Sequence, residues 1–202
     1  MPVLRSTPAS PFGRKIKIAA RLAGIYDRIE HVNADVRDPD DDLRSQNPLG
    51  KIPVLVLDDG MAIYDSRVIS EWIDDQAGGG VLLPTGGNRF EALVLQALAD
   101  GMMDASILIV YEGRYRPEEM HFQPWLDYQH DKVRRALDRL EQEPPDLTGT
   151  PHIGHIALAC ALGYLDFRFA GEWRGNFSRL VAWLDDFATA VPAYDLTAPH
   201  DS

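Results

Sequence analysis

The sequence predicts two architectures in succession: an α/β layer with a mixed four-stranded sheet, followed by an all-α helical bundle. Three observations carry this. From Val3 to Ile73, short β-branched runs alternate with helical periodicity in the order β-α-β-α-β-β-α. Gly78-Gly79-Gly80 and Pro84 to Asn88 are then loop-forming. From Arg89 onward the apolar residues recur at helical spacing only. The boundaries follow as 1–77 for the α/β domain and 88–202 for the helical one.

Taken in order, Val3 to Ser6 is a short strand. Ser10-Pro11 is a turn that places Pro near the first helical position. Ile16, Ala19, Ala20 and Ala23 form the apolar stripe of a first helix, ended by Gly24. Ile29 to Val32 is a second strand, and the acidic turn Asp38 to Asp42 leads into a weakly specified helix. Val54 to Leu57 and Met61 to Tyr64 flank Asp58-Asp59-Gly60, which is a hairpin signal. Asp65-Ser66 precedes the apolar-periodic Val68, Ile69, Trp72 and Ile73, as a capped helix begins.

In the second half, Leu95, Leu98, Ala99 and Met102 mark one helix. Trp125, Tyr128, Lys132, Val133, Ala136 and Leu140 mark a second, stopped by Pro144-Pro145. The remaining helices are marked by Ile156 to Phe169 and by Leu180 to Phe187. A loose tail is expected after Pro192.

Composition narrows the function classes. With 45% hydrophobic and 25% charged residues, the 202-residue chain reads as an ordinary globular protein. A net charge of −11 argues against nucleic acid or anionic lipid as the main partner. The single Cys160 rules out an internal disulfide framework and a Cys-based zinc site, and sits in an apolar helix as a core residue. Neither a signal peptide nor an apolar run approaching about 18 residues is apparent, so a cytoplasmic protein without membrane spans is expected.

The stretch Asn47 to Ser66, NPLGKIPVLVLDDGMAIYDS, holds the densest chemistry. Pro53 follows a turn at a strand entrance, where a cis peptide bond is most often tolerated. A cis Ile52-Pro53 bond leaves the Ile52 N–H and C=O free to pair with an extended peptide. The helix opened by Asp65-Ser66 offers unpaired N–H groups and a positive dipole end. Lys51 adds a cation. A short peptide carrying carboxylates fits this corner; so does a plain hairpin followed by a capped helix with no ligand.

The motif NPLGKIPVL followed by Asp65-Ser66 resembles the glutathione-binding half of the glutathione S-transferase superfamily. Ser10-Pro11-Phe12-Gly13-Arg14-Lys15 resembles the first-helix signature of its serine-type members. The resemblance covers nearly the whole chain and implies a thioredoxin-like first domain, glutathione as co-substrate, a homodimer and no metal. It implies Ser10 as the hydroxyl that hydrogen-bonds the sulfur of glutathione, with Ser6 and Thr7 as alternatives. A thiol of reference pKa about 8.5 is mostly protonated at neutral pH, and a hydroxyl donor at a helix N-terminus favours the nucleophilic anion. Read alone, Ser10 is an ordinary helix cap.

By the same resemblance, Lys51 pairs with a glutathione carboxylate and Ile52, before Pro53, pairs with its backbone. Ser66 takes the γ-glutamyl carboxylate and Asp65 its ammonium. The segment Asp100 to Arg116 is expected to line the cleft between domains, with Phe12, Tyr111, Arg114 and Tyr115 as candidates for the electrophile pocket. A solvated basic face is the other reading, and Met102 and Met103 fit a core. His152 and His155 stand where the family carries a Ser/Thr-x-x-Asp capping box, which leaves that cap in doubt; a helix start at Thr150-Pro151 is expected.

The expected activity is attack of glutathione thiolate on a small hydrophobic electrophile. Two rivals remain: glutathione binding without turnover, and a glutathione-dependent reductase of peroxides or disulfides. Ser rather than Cys at position 10 weighs against thiol exchange.

Overall fold

The computed structural model describes residues 1–201. Its strands β1 (Val3–Ser6), β2 (Glu30–Asn33), β3 (Val54–Val56) and β4 (Ala62–Ile63) form one sheet in the order β2-β1-β3-β4. β1 is parallel to β2 and antiparallel to β3, and β3 is antiparallel to β4, so the sheet is mixed as expected. Helix α1 (Pro11–Leu22) makes the crossover from β1 to β2. α2 (Leu43–Gln46) precedes β3, and α3 (Ser66–Gln76) follows β4.

The two-residue alternation of the strands divides the core. Leu4, Leu55 and Ile63 join Ile16, Ile69 and Ile73 of α1 and α3 in the main core. Val54 faces the other way into a small cluster with Ala34 and Leu43 of α2. This is the thioredoxin-like layer with a helix pair on one face and a short helix on the other.

Five helices follow: α4 (Arg89–Tyr115), α5 (Gln123–Gln142), α6 (Ile153–Arg168), α7 (Ser178–Ala190) and α8 (Ala193–Leu196). Every residue of α6 from Ile153 to Leu165 is buried, as expected for a helix that is apolar all round. It packs against α4, α7 and, across the two halves, α1. One continuous hydrophobic core therefore runs through both architectures.

Several sequence expectations are corrected. α4 is long and apolar enough by composition to cross a membrane, against the expectation that no segment is. The expectation looked for an unbroken apolar run, which Asp100 and Asp104 interrupt, but the segment around them stays apolar on average; in this fold α4 packs on α5 and α6. The tail is not loose: α8 closes on α1, where the Arg14 guanidinium lies 3.9 Å from the Tyr194 ring centre and donates to the Tyr194 carbonyl at 2.7 Å.

α6 starts at Ile153 with His152 as its cap, not at Thr150-Pro151. The two histidines themselves build the capping box: His152 Nδ1 accepts from the Gly154 N–H at 3.1 Å, and His155 Nδ1 accepts from the His152 N–H at 3.2 Å. A ring nitrogen can replace the usual hydroxyl and carboxylate because each is a single acceptor at the required reach.

Candidate active site

The site is built where α1, the corner before β3 and the start of α3 meet α4. Ser10 caps α1: its Oγ accepts the Gly13 N–H at 3.1 Å, and Pro11 occupies the first turn. An accepting hydroxyl keeps its own proton free to donate. Ser6 is 2% exposed and lies beneath the helix, where a side chain at Gly13 would run into its hydroxyl. Thr7 and Ser10 are both partly exposed.

The Ile52-Pro53 bond is cis, as the sequence predicts. Neither the N–H nor the C=O of Ile52 is taken by another backbone group among the described residues. Asn47, 3% exposed, shapes this corner: it accepts from the Leu49 N–H at 3.0 Å and donates to the Lys51 carbonyl at 2.9 Å. Lys51 is exposed and Pro53 buried. Asp65 caps α3, its Oδ1 accepting the Arg67 N–H at 2.9 Å, and the Tyr64-Asp65 bond is also cis. Ser66 opens α3 and is 3% exposed.

α4 closes the site. At 3.6 residues per turn, Asp100, Asp104, Tyr111 and Tyr115 share one face. Asp100 is a double acceptor: Oδ1 takes Lys15 Nζ of α1 at 2.7 Å and Oδ2 takes Arg67 Nε of α3 at 2.9 Å. Burial pushes the Lys15 ammonium down from its usual range, and the Asp100 carboxylate opposes that. Asp104 is pushed up, first by burial and then by Asp100, while Lys51 and Arg67 pull it back. Asp104 therefore stands within the field of the Lys51 and Asp65 corner.

Further along, the Tyr111 and Tyr115 rings meet edge to face at 5.2 Å, with Arg114 5.6 Å from the Tyr111 ring centre. Phe12 is half-buried, with Lys15 Nζ 5.5 Å from its ring centre. Met102 and Met103 are buried in the core, on the reading that gave them no part in the site. Cys160 is fully buried, its thiol pushed up to about 11 by desolvation, so no thiolate nucleophile comes from the chain itself. Among the described residues no group of three or more His, Cys, Asp or Glu is placed to hold a metal ion.

Known proteins resemble this chain in sequence and in fold. The sequence pattern of "Glutathione S-transferase, N-terminal domain" matches residues 9–76, and that of "Glutathione S-transferase, C-terminal domain" matches residues 121–186. The chain belongs to the glutathione S-transferase family. A GST-like protein of Escherichia coli K12, YibF, is 38% identical over 165 residues, 79% of each chain. A glutathione transferase family member from Pseudomonas fluorescens Pf-5, solved with bound glutathione, is 41% identical over the full length of both chains, with a TM-score of 0.90. Another glutathione S-transferase, from Methylobacillus flagellatus KT with glutathione bound, is 32% identical over 99% of this chain and all of its own, with a TM-score of 0.91.

Sequence reasoning gave no individual role to four residues of this candidate site: Lys15, Asn47, Arg67 and Asp100. Asn47 carried a signal, since an Asn opening a Pro-Gly turn is an acceptor for the N–H two residues on. Asp100 carried one too, as a carboxylate on the apolar side of a core helix. Its partners are 85 and 33 residues away in sequence, and nothing local names them.

Proposed function

We propose that this protein is a glutathione transferase that adds glutathione thiolate to a small hydrophobic electrophile. The observation that carries the proposal is the Ser10 hydroxyl, partly exposed at the N-terminus of α1 with its oxygen already accepting the Gly13 N–H. Its free proton and the helix dipole both favour sulfur anion over thiol. Ser6, 2% exposed beneath α1, is poorly placed for that role, so Ser10 is preferred to it. Glutathione lies along the Ile52 corner, with Lys51 near one carboxylate and Asp65 and Ser66 at the γ-glutamyl end.

The sulfur forms a bond to the electrophile, and either a leaving group departs or an activated double bond takes the electron pair and then a proton. Phe12, Tyr111, Arg114 and Tyr115 are proposed to hold the electrophile, because they combine aromatic faces with one cation beside the cleft. A second Pseudomonas fluorescens Pf-5 structure, 42% identical, carries bound S-(propanoic acid)-glutathione, a molecule substituted on sulfur, which supports transfer over thiol exchange. The same reading makes the protein a cytoplasmic detoxification enzyme of two domains, 1–77 and 88–202.

Ser10→Ala tests it. A hydrogen bond to a charged group contributes about 1.5–3 kcal/mol, so the bound thiol should rise by roughly 1–2 pKa units. Glutathione affinity should barely change, while the rate at neutral pH falls and partly recovers as pH rises. Ultraviolet titration of the bound thiolate reads this without a known electrophile. An unmoved titration curve makes Ser10 a helix cap only and turns attention to Thr7.

A further inference from the structure

A cavity of about 590 Å³ opens on the side of α4 turned away from the proposed glutathione site. It lies among the second half of α4, the middle of α5, the end of α6 and the short turn Glu172–Gly175. Ser106 and Ile109 supply the α4 wall. At about 100° per residue they point roughly half a turn away from Asp100, Asp104 and Tyr111, which face the cleft. The volume is in the usual range of roughly 300–1,000 Å³ for small-molecule sites.

The walls and the rim have different chemistry. Leu165, Phe169, Trp173 and Phe177 make an apolar, largely aromatic wall. Trp173 is fixed in place by its Nε1 donating to Asp166 at 2.8 Å. At the rim stand Asp127, Asp131, Glu172 and Arg134. Arg134 is already satisfied between Asp131 and Asp138, and Asp131 also receives Arg135. Among the described residues Asp127 and Glu172 have no cationic partner; Asp127 accepts only the Gln123 amide, at 2.7 Å. Two uncompensated carboxylates over an aromatic wall select against organic anions and for organic cations, through charge and through the ring quadrupoles.

We propose that this cavity is a second ligand site, independent of glutathione, for an organic cation with an aromatic or alkyl body, such as an aryl ammonium. The cation sits between Asp127 and Glu172, and its apolar body lies against Phe169, Trp173 and Phe177. The site needs no turnover and does not depend on the glutathione reading.

The probe is acridine orange, a planar aromatic cation, titrated into the full chain at pH 8 and followed by fluorescence polarisation. One saturable site per chain is expected, weakened by added sodium chloride and unchanged by saturating glutathione. Exposed Asp127→Asn with Glu172→Gln should weaken binding at least about tenfold, the order expected for two partly screened attractions. Ile109→Trp, which fills the cavity from the α4 wall, should abolish it while glutathione binding persists. The proposal is overturned by unchanged binding in the double variant, by competition with glutathione, or by equally tight binding of the anionic dye anilinonaphthalene sulfonate.

Discussion

Asp65 illustrates how one side chain carries two duties. Its carboxylate caps α3 through the Arg67 N–H, and it stands where the ammonium of glutathione is proposed to lie. Asp65→Ala should weaken glutathione by about 1–3 kcal/mol, the range for a charge-assisted hydrogen bond, and should also lose up to about 1 kcal/mol of stability as a lost cap. Calorimetry on this variant and on Ser66→Ala separates the two; unchanged affinity in both removes the γ-glutamyl assignment. Lys15 and Asp100 are a harder case. Lys15 is 0% and Asp100 3% exposed as side chains, so the pair has left water almost entirely. Such a pair need not stabilise relative to an apolar one, but removing one partner strands a buried charge. Asp100→Asn should therefore destabilise by about 3–5 kcal/mol in urea unfolding, with Lys15→Met less costly because it leaves Asp100 its bond from half-exposed Arg67.

At the scale of an element, α6 depends on its two histidines staying neutral. Their rings stack at 3.7 Å, and the cap uses Nδ1 of each as an acceptor, which a protonated ring cannot be. Burial, and then His152 beside it, lowers His155 to about 4; burial also lowers His152. The nearby Asp146 opposes the shift without cancelling it. A depressed base binds its proton later in the fold than in the unfolded chain. Its contribution is therefore intact above the ordinary value near 6.5 and is lost as pH falls from there toward 4. For His155 alone this amounts to roughly 3 kcal/mol at most, read as falling unfolding free energy between pH 6.5 and 4.5. His152→Ser with His155→Asp, a capping box without imidazole, should flatten that slope; an equally steep slope assigns the acid sensitivity elsewhere. The sequence singled out both histidines as a departure, and the ring geometry shows what they do.

Across the whole molecule, the outward side of α4 presents Phe90, Val94, Ala97 and Gly101 in one stripe, with Phe90 73% and Val94 66% exposed. Met61 and Val68 of the α/β half are 61% and 51% exposed. We propose that a second copy covers these surfaces, the small Ala97 and Gly101 allowing two α4 helices to approach closely. Sedimentation at micromolar concentration should give about twice 22.6 kDa, and Phe90→Glu with Val94→Glu should return the monomer. A 22.6 kDa species in the unaltered protein refutes the dimer. Val68 was read as part of the apolar stripe of α3, yet it is 51% exposed.

The sequence by itself determined the mixed α/β layer followed by helices, the cap at Ser10, the hairpin at Asp58-Asp59-Gly60 and the cap at Asp65. Each of these rests on chemistry within a few residues, in turn dihedrals, capping groups and apolar period, so the letters alone specify it. It also pointed to the Ile52-Pro53 corner, through a turn and a Pro at a strand entrance. Tertiary structure alone decided that Lys15 and Arg67 share Asp100, that Arg14 holds the tail through Tyr194, and that a cavity opens beside Ser106 and Ile109 of α4. Those partners lie 33 to 180 residues apart, and burial of charge is tolerated only once packing has set both groups within hydrogen-bond distance of each other. Period tells which face of a helix is apolar; what that face meets is settled only by the fold.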